Sequence, residues 1–213
     1  MILRAYEPAD RSSVRRIACE TANRGESADA IFPDREIVAD LLTRYYTDAE
    51  PQSAWVADFE GRVVGYLTGC LDSRRYWRMM HWRVGPSAVL RAIARGACYR
   101  RETWRFVRAM MGTWRRGGFN RYVPLDEYPA HLHVNVQHGF RGQRVGTQLV
   151  ERCIAQVREA GLRGMHLAVR DDNQPARRLF ERLGFRELSR YPVLIPTAHA
   201  YQLHQTVIYG KRV

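Results

Sequence analysis

Within the stretch "HVNVQHGFRGQRVGTQLVERC", His133 to Cys153, an extended run enters a helix through the turn Arg141-Gly142-Gln143-Arg144-Val145-Gly146. A strand that feeds a helix through a glycine-bearing turn aims several backbone N–H groups, and the positive end of the helix dipole, at one point. That arrangement suits a phosphate or pyrophosphate. The turn matches neither G-x-x-x-x-G-K-S/T nor G-x-G-x-x-G, and two glycines between a strand and a helix also serve as plain punctuation. Arg144 stands where a glycine is easier to place. The donors belong to the backbone, so a cradle tolerates this arginine provided the position needs no positive φ, and its side chain can add a charged contact to a phosphate.

The flanking elements must hold that turn in place. "ILRAY" reads as a strand, and Pro8 and Asp10 open a helix with Val14, Ile17 and Ala18 on one face. "PDREIVADLLTRYYTD", from Pro33, is a second helix with Ile37, Leu41 and Tyr45 spaced by four. "SAWVADFEGRVVGYLTGCLD" gives two β-rich runs around Glu60-Gly61, an antiparallel hairpin. Further on, "AHLHVNV" alternates as a strand, and the helix after the turn puts Val145, Leu149, Cys153, Ile154 and Val157 inward and stops at Gly161. "GMHLAV" is a strand, "DDNQPARRLFERLG" a helix opened by Asp172 or Asn173, and "FRELSRY" and "HQTVIYGKR" close the chain as strands. The mixed order implies an α/β fold: one domain over 1–213 with a central mixed, partly antiparallel sheet flanked by helices.

Composition bounds the partners. The 213 residues carry a net charge of +12, almost all from arginine, since Lys211 is the only lysine. Residues 74–121 form a helical, basic insertion: thirteen arginines against one acidic residue, Glu102, with Trp77, Trp82, Trp104 and Trp114 among them. Helical spacing puts Trp104, Val107, Met111 and Trp114 on one stripe and Arg101, Arg105 and Arg108 on another. The plain expectation lays that apolar stripe on the sheet and leaves the arginines in water; the alternatives are an acceptor-site wall, an anionic surface or a subunit contact. Cys19, Cys70, Cys98 and Cys153 are widely spaced without C-x-x-C pairing, so neither a disulfide framework nor a metal site is expected. No apolar run approaches the roughly 20 residues of a membrane span. A cytoplasmic monomer or homodimer is expected, and no nucleic-acid motif is present.

The segment from His131 to Phe185 adds a more specific signal. "V-Q-H-G-F-R-G-Q-R-V-G-T-Q-L" followed by "M-H-L-A-V-R-D-D-N-Q-P-A-R-R-L-F-E-R-L-G-F" resembles the two signature motifs of the GNAT acetyltransferase superfamily, R/Q-x-x-G-x-G/A and N-x-x-A-x-x-L-Y-x-x-x-G-F. Arg141, Gly146, Asn173, Ala176, Leu179, Gly184 and Phe185 match. "DEYPAHLHVNV", "GMHLAV" and "EPQSAWVADFEGRVVGYLTGCLD" look like a bacterial subgroup similar to the acetyltransferase-like domain at the C-terminus of O-GlcNAcases. The order of elements outside the Arg/Trp-rich insertion resembles that fold as well.

The resemblance implies acetyl-CoA as donor, no metal, and transfer to a primary amine of a small molecule or peptide by direct attack in a ternary complex. The backbone of Val134 and Val136 would pair with the pantetheine arm as an added strand. The amides of Gly142, Gln143, Arg144, Val145, Gly146 and Thr147 would cradle the pyrophosphate, with Arg141 also at the cofactor, and Asn173, Ala176 and Phe180 would line the cofactor. A base takes the amine proton and backbone N–H stabilises the oxyanion. His131 and His133 are candidate bases on the strand beside the thioester, both on one face by alternation, with Glu127 and Asp126 on the preceding loop as further candidates. The thiolate is commonly protonated by a tyrosine where this chain has Phe180, so Tyr128 or Tyr191 substitutes or the thiolate leaves unassisted. Arginines around the acceptor favour an acidic substrate. The alternative is a non-catalytic acetyl-CoA-binding or interaction module.

Overall fold

A computed structural model of the chain describes residues 1–23, 26–27, 29, 32, 34–119, 122–197 and 200–213. Pro33 and Arg121, expected at the start of the second helix and the end of the insertion, lie outside the described residues. Seven strands form one sheet in the order β1 (Ile2–Ala5), β2 (Ala54–Phe59), β3 (Arg62–Cys70), β4 (Ala130–Val136), β5 (Gly164–Arg170), β7 (Tyr201–Arg212), β6 (Arg186–Pro196). All neighbours are antiparallel except β4 and β5. The β2–β3 hairpin turns at Glu60 and Gly61, both at positive φ, which matches the twist of the strands.

Two layers of helices cover this α/β sheet. On one face, α6 (Val145–Glu159) and α7 (Gln174–Arg182) close the main core: Val145, Leu149, Cys153, Ile154 and Val157 pack with Phe180 and Phe185 on Leu67, Leu132, Met165 and Leu167. On the other, α1 (Arg11–Thr21) seats Val14, Ile17 and Ala18 against Val56, Val63 and Tyr66. Beside it lies α2 (Arg35–Asp48), capped by Asp34, whose carboxylate accepts the Ile37 N–H. Ile37 and Tyr45 face inward as expected, but Leu41 is 36% exposed. The buried positions on that turn include Ala39 and Asp40, the latter paired with Arg15 and Arg91.

Between β3 and β4 come α3 (Ser73–Met79), a π turn (Met80–Val84), α4 (Gly85–Ala94) and α5 (Arg101–Arg115). Asp72 caps α3 by accepting the N–H groups of Arg74 and Arg75. The π turn precedes Pro86, which lacks an N–H and whose ring crowds the carbonyl four residues back, so the ladder widens there. α5 packs on β6, but not by its tryptophan stripe. Trp104, Val107, Met111 and Trp114 are 53, 36, 49 and 67% exposed, whereas Ala109 and Thr113 are buried. Thr113 Oγ1 accepts the Leu194 N–H at 2.9 Å, and a Cβ at Gly118 would lie 2.2 Å from the Pro192 carbonyl. Only the small-residue face of α5 permits that approach, which turns the opposite, apolar face to solvent.

Candidate active site

β4 and β5 pair at only two positions, Ala130 with Met165 and His131 with His166, and then diverge. Gln137 N–H bonds the Val64 carbonyl on β3 at 2.9 Å. Alternation along β4 therefore turns the N–H and C=O of Val134 and Val136 away from β3 and into the gap. Arg141 Nε donates to the Val136 carbonyl at 3.1 Å, tying the glycine turn to the strand. The gap is a strand-wide opening in the middle of the sheet with backbone donors along one wall, which is what an extended amide-bearing ligand pairs with.

At its mouth the chain turns through His138–Phe140 into α6. Gly142 is at φ 78 with nothing within 4 Å of a built Cβ. Arg144 is at φ 62 and caps the helix, its carbonyl accepting the Gln148 N–H at 3.0 Å. The sequence-derived proviso of no positive φ fails here: a β-carbon-bearing residue is held in the left-handed region. Its side chain is exposed and without an ion-pair or hydrogen-bond partner among the described residues. Gln143 Nε2 steadies the turn on the Gly139 carbonyl. The helix begins at Val145, so the first-turn N–H groups of Val145, Gly146 and Thr147 have no intrahelical acceptor and point at one place, as an anion cradle requires. Facing it, Asn173 caps α7 with Oδ1 accepting the Ala176 N–H at 3.3 Å, and Phe180 is buried against Phe185.

His131 and His133 do share a face, the one toward α2 and α3. Their environments differ. Ser73 Oγ lies 2.6 Å from the Pro129 carbonyl, which can only accept, so Ser73 gives its one proton there. His131 Nδ1, 2.7 Å away, must then donate to Ser73, leaving Nε2 to accept the Tyr46 O–H at 2.9 Å. Tyr76 stacks on Tyr46 with ring centroids 5.5 Å apart. Burial, with His133 and His166 nearby, holds the His131 pKa well below the ordinary histidine value. His133 lies 5.7 Å from the Tyr46 ring and has no hydrogen-bond partner among the described residues. Solvent reaches its ring, yet the surrounding protein mass and His166 shift its pKa downward too. Both rings are neutral at pH 7.

The loop acids stand elsewhere. Glu127 is 2.5 Å from Arg212 Nη2, and Asp126 pairs with Arg74 at 2.8 Å. The Glu127 carbonyl and the Tyr128 ring flank Gly164, at the end where β4 and β5 are still paired, so neither faces the gap. Tyr191 lies on edge strand β6, opposite Thr206 of β7. The sequence reading missed Tyr46, Ser73, Tyr76 and His166, whose Nδ1 is 2.9 Å from the Tyr128 carbonyl. The only local signal for any of them was the Asp72-Ser73 helix start.

A split sheet with a parallel β4–β5 pair, a glycine turn at its mouth and a helix on each side defines a class. Residues 117–185 match the Acetyltransferase (GNAT) family. That match covers about a third of the chain, and together with the fold it supports an acetyltransferase of the GNAT type, a family whose donor is acetyl-CoA. Among solved structures it is similar to SsHAT, at 25% identity over 99% of this chain and 97% of that one, with a TM-score of 0.71. The fold is shared with yncA from Salmonella typhimurium, solved with its cofactor acetyl-CoA (17% identity, 99% and 92% covered, TM-score 0.59). It is shared also with the ribosomal-protein-alanine N-acetyltransferase from Brucella melitensis (16% identity, 100% of each chain, TM-score 0.58).

Proposed function

We propose that this chain transfers an acetyl group to a primary amine, of a small molecule or a peptide, by direct attack in a ternary complex. The observation that carries the reading is His133: a neutral, solvent-reached imidazole with no hydrogen-bond partner among the described residues, on the strand whose backbone opens into the gap. Bound in that gap, acetyl-CoA supplies the thioester carbonyl that the amine attacks. Val134 and Val136 hold the extended arm by their backbone, and Gly142 to Thr147, with Arg141 bracing the turn, take the pyrophosphate. Asn173 and Ala176 line the opposite wall at the start of α7. His133 accepts the proton that the attacking nitrogen sheds as its basicity collapses on C–N bond formation. His131, with both nitrogens bonded inside the protein, positions His133 and Tyr46. Phe180 has no proton to give, and the thiolate leaves without one. Arg75 and Arg78 on α3, the helix that supplies Ser73 and Tyr76, have no carboxylate partner among the described residues and favour an acceptor with an acidic group.

A thiol-release assay over a panel of amines, beside calorimetry with acetyl-CoA, tests this. His133→Ala is expected to lower turnover roughly a hundredfold or more, the range for a lost general base, with acetyl-CoA affinity kept. Acetyl-CoA binding without release on any amine would instead assign a non-catalytic module, the reading that Phe180 favours.

A further inference from the structure

The tryptophan stripe of α5 faces away from the molecule, and its setting says what it meets. Trp104, Val107, Met111 and Trp114 recur at three and four residues and so form one continuous line, opposite the buried Ala109 and Thr113. Arg101, Arg108 and Arg115, seven residues apart, run along one flank. Elsewhere in the same insertion Trp82 is 81% and Tyr99 93% exposed, and α4 leaves Val89, Leu90 and Ile93 open. Of the twelve described arginines in this region, Arg74, Arg91 and Arg95 pair with Asp126, Asp40 and Asp34. The other nine have no carboxylate partner among the described residues, and the one acid of the insertion, Glu102, pairs with none of them.

We infer that α5 is a membrane-surface helix, docking this acetyltransferase on a bilayer of anionic phospholipid with the Trp/Met stripe at the level of the acyl boundary and the arginines among the headgroups. Positive charge without a carboxylate partner among the described residues favours an acidic partner and sets two copies of this surface against each other. Valine and methionine in the stripe gain nothing from base stacking, so a nucleic acid leaves half the stripe unused. The stripe runs along one exposed face of a single 15-residue helix, which suits a laterally fluid surface. Tryptophan, tyrosine and arginine beside aliphatic side chains are the residues of the bilayer interface. No described helix is long and apolar enough to cross a membrane, so the helix lies on the surface.

Vesicle co-sedimentation of the full chain tests the inference, using phosphatidylglycerol/phosphatidylcholine and pure phosphatidylcholine vesicles. Binding at least tenfold tighter to the anionic vesicles is expected, falling steeply at about 1 M salt, where screening reaches about 3 Å. W104S/W114S and R101E/R108E should each lose at least tenfold of that binding, while both keep the wild-type melting shift with acetyl-CoA, which shows that they are folded. Equal binding to both vesicle types, no binding to either, or binding unmoved by the two variants overturns the inference. So does a dimer in sedimentation that W104S/W114S dissolves, or retention of an acidic protein or oligonucleotide by a stripe that ignores the vesicles.

Discussion

At the scale of single residues, Arg144 and the histidines carry the most. A left-handed backbone strains a residue with a Cβ by about 1 kcal/mol, and Arg144 is held there by the turn it closes. Arg144→Gly should therefore raise the stability of the free protein by about 1 kcal/mol, read in denaturant. It should also shrink the melting shift that coenzyme A produces, because a guanidinium without a partner among the described residues is lost from the cradle. A variant no more stable than wild type would show that the turn is unstrained. His131, His133 and His166 all have lowered pKa values, chiefly by burial. The unfolded chain binds protons at these sites near pH 6.5, where the fold still refuses them, so stability rises with pH through that window and is lost as pH falls below about 6.5. Melting temperature should drop between about pH 7 and pH 5, and less in His166→Gln; equal slopes would remove the histidines as the cause. The turn was legible because its residue types act through a local backbone. The bracing of His131 was not: Tyr46 and Ser73 lie 85 and 58 residues away in sequence.

At the scale of elements, periodicity located α5 but assigned its packed face wrongly. The spacing of Trp104, Val107, Met111 and Trp114 is that of an inward stripe, and the rule that apolar faces are buried was overruled by close approach. A face of Ala109, Gly112 and Thr113, continued by Gly118, lets the helix cover the edge strand β6 and protect it from pairing with other chains. Gly118→Ala must displace the Pro192 carbonyl, and should destabilise the fold by about 1–3 kcal/mol, with faster proteolysis within the α5 region. Unchanged stability and cleavage would mean that α5 is not anchored there. β6 itself extends to Pro196, beyond the run legible in sequence, because Pro192 and Pro196 are tolerated on a strand with a neighbour on one side only. Leu41 shows the same limit on α2, where the buried charged side chain of Asp40 lies on the adjacent position.

At the scale of the whole molecule, the order of strands and helices was readable from punctuation, since Glu60-Gly61, Gly161, Asn173 and Gly184 mark turns or ends that the fold uses. The parting of β4 from β5 was not readable, because it depends on a missing partner rather than on any residue present. It also divides the protein mechanically. β1 to β4 and β5 to β7 are joined within the sheet by two rungs of a ladder, with α6 bridging over them. A sheet creased in this way has two cooperative units, and a ligand that lies in the crease stitches them into one. Native-state hydrogen exchange should then show amides of β5 and β7 opening separately from those of β2 and β3 in the free protein, and together once coenzyme A is bound. Exchange in a single unit under both conditions would show that α6 alone suffices. On this view the donor is a removable strand of the protein's own architecture, and its departure after each turnover loosens the fold that has to release the product.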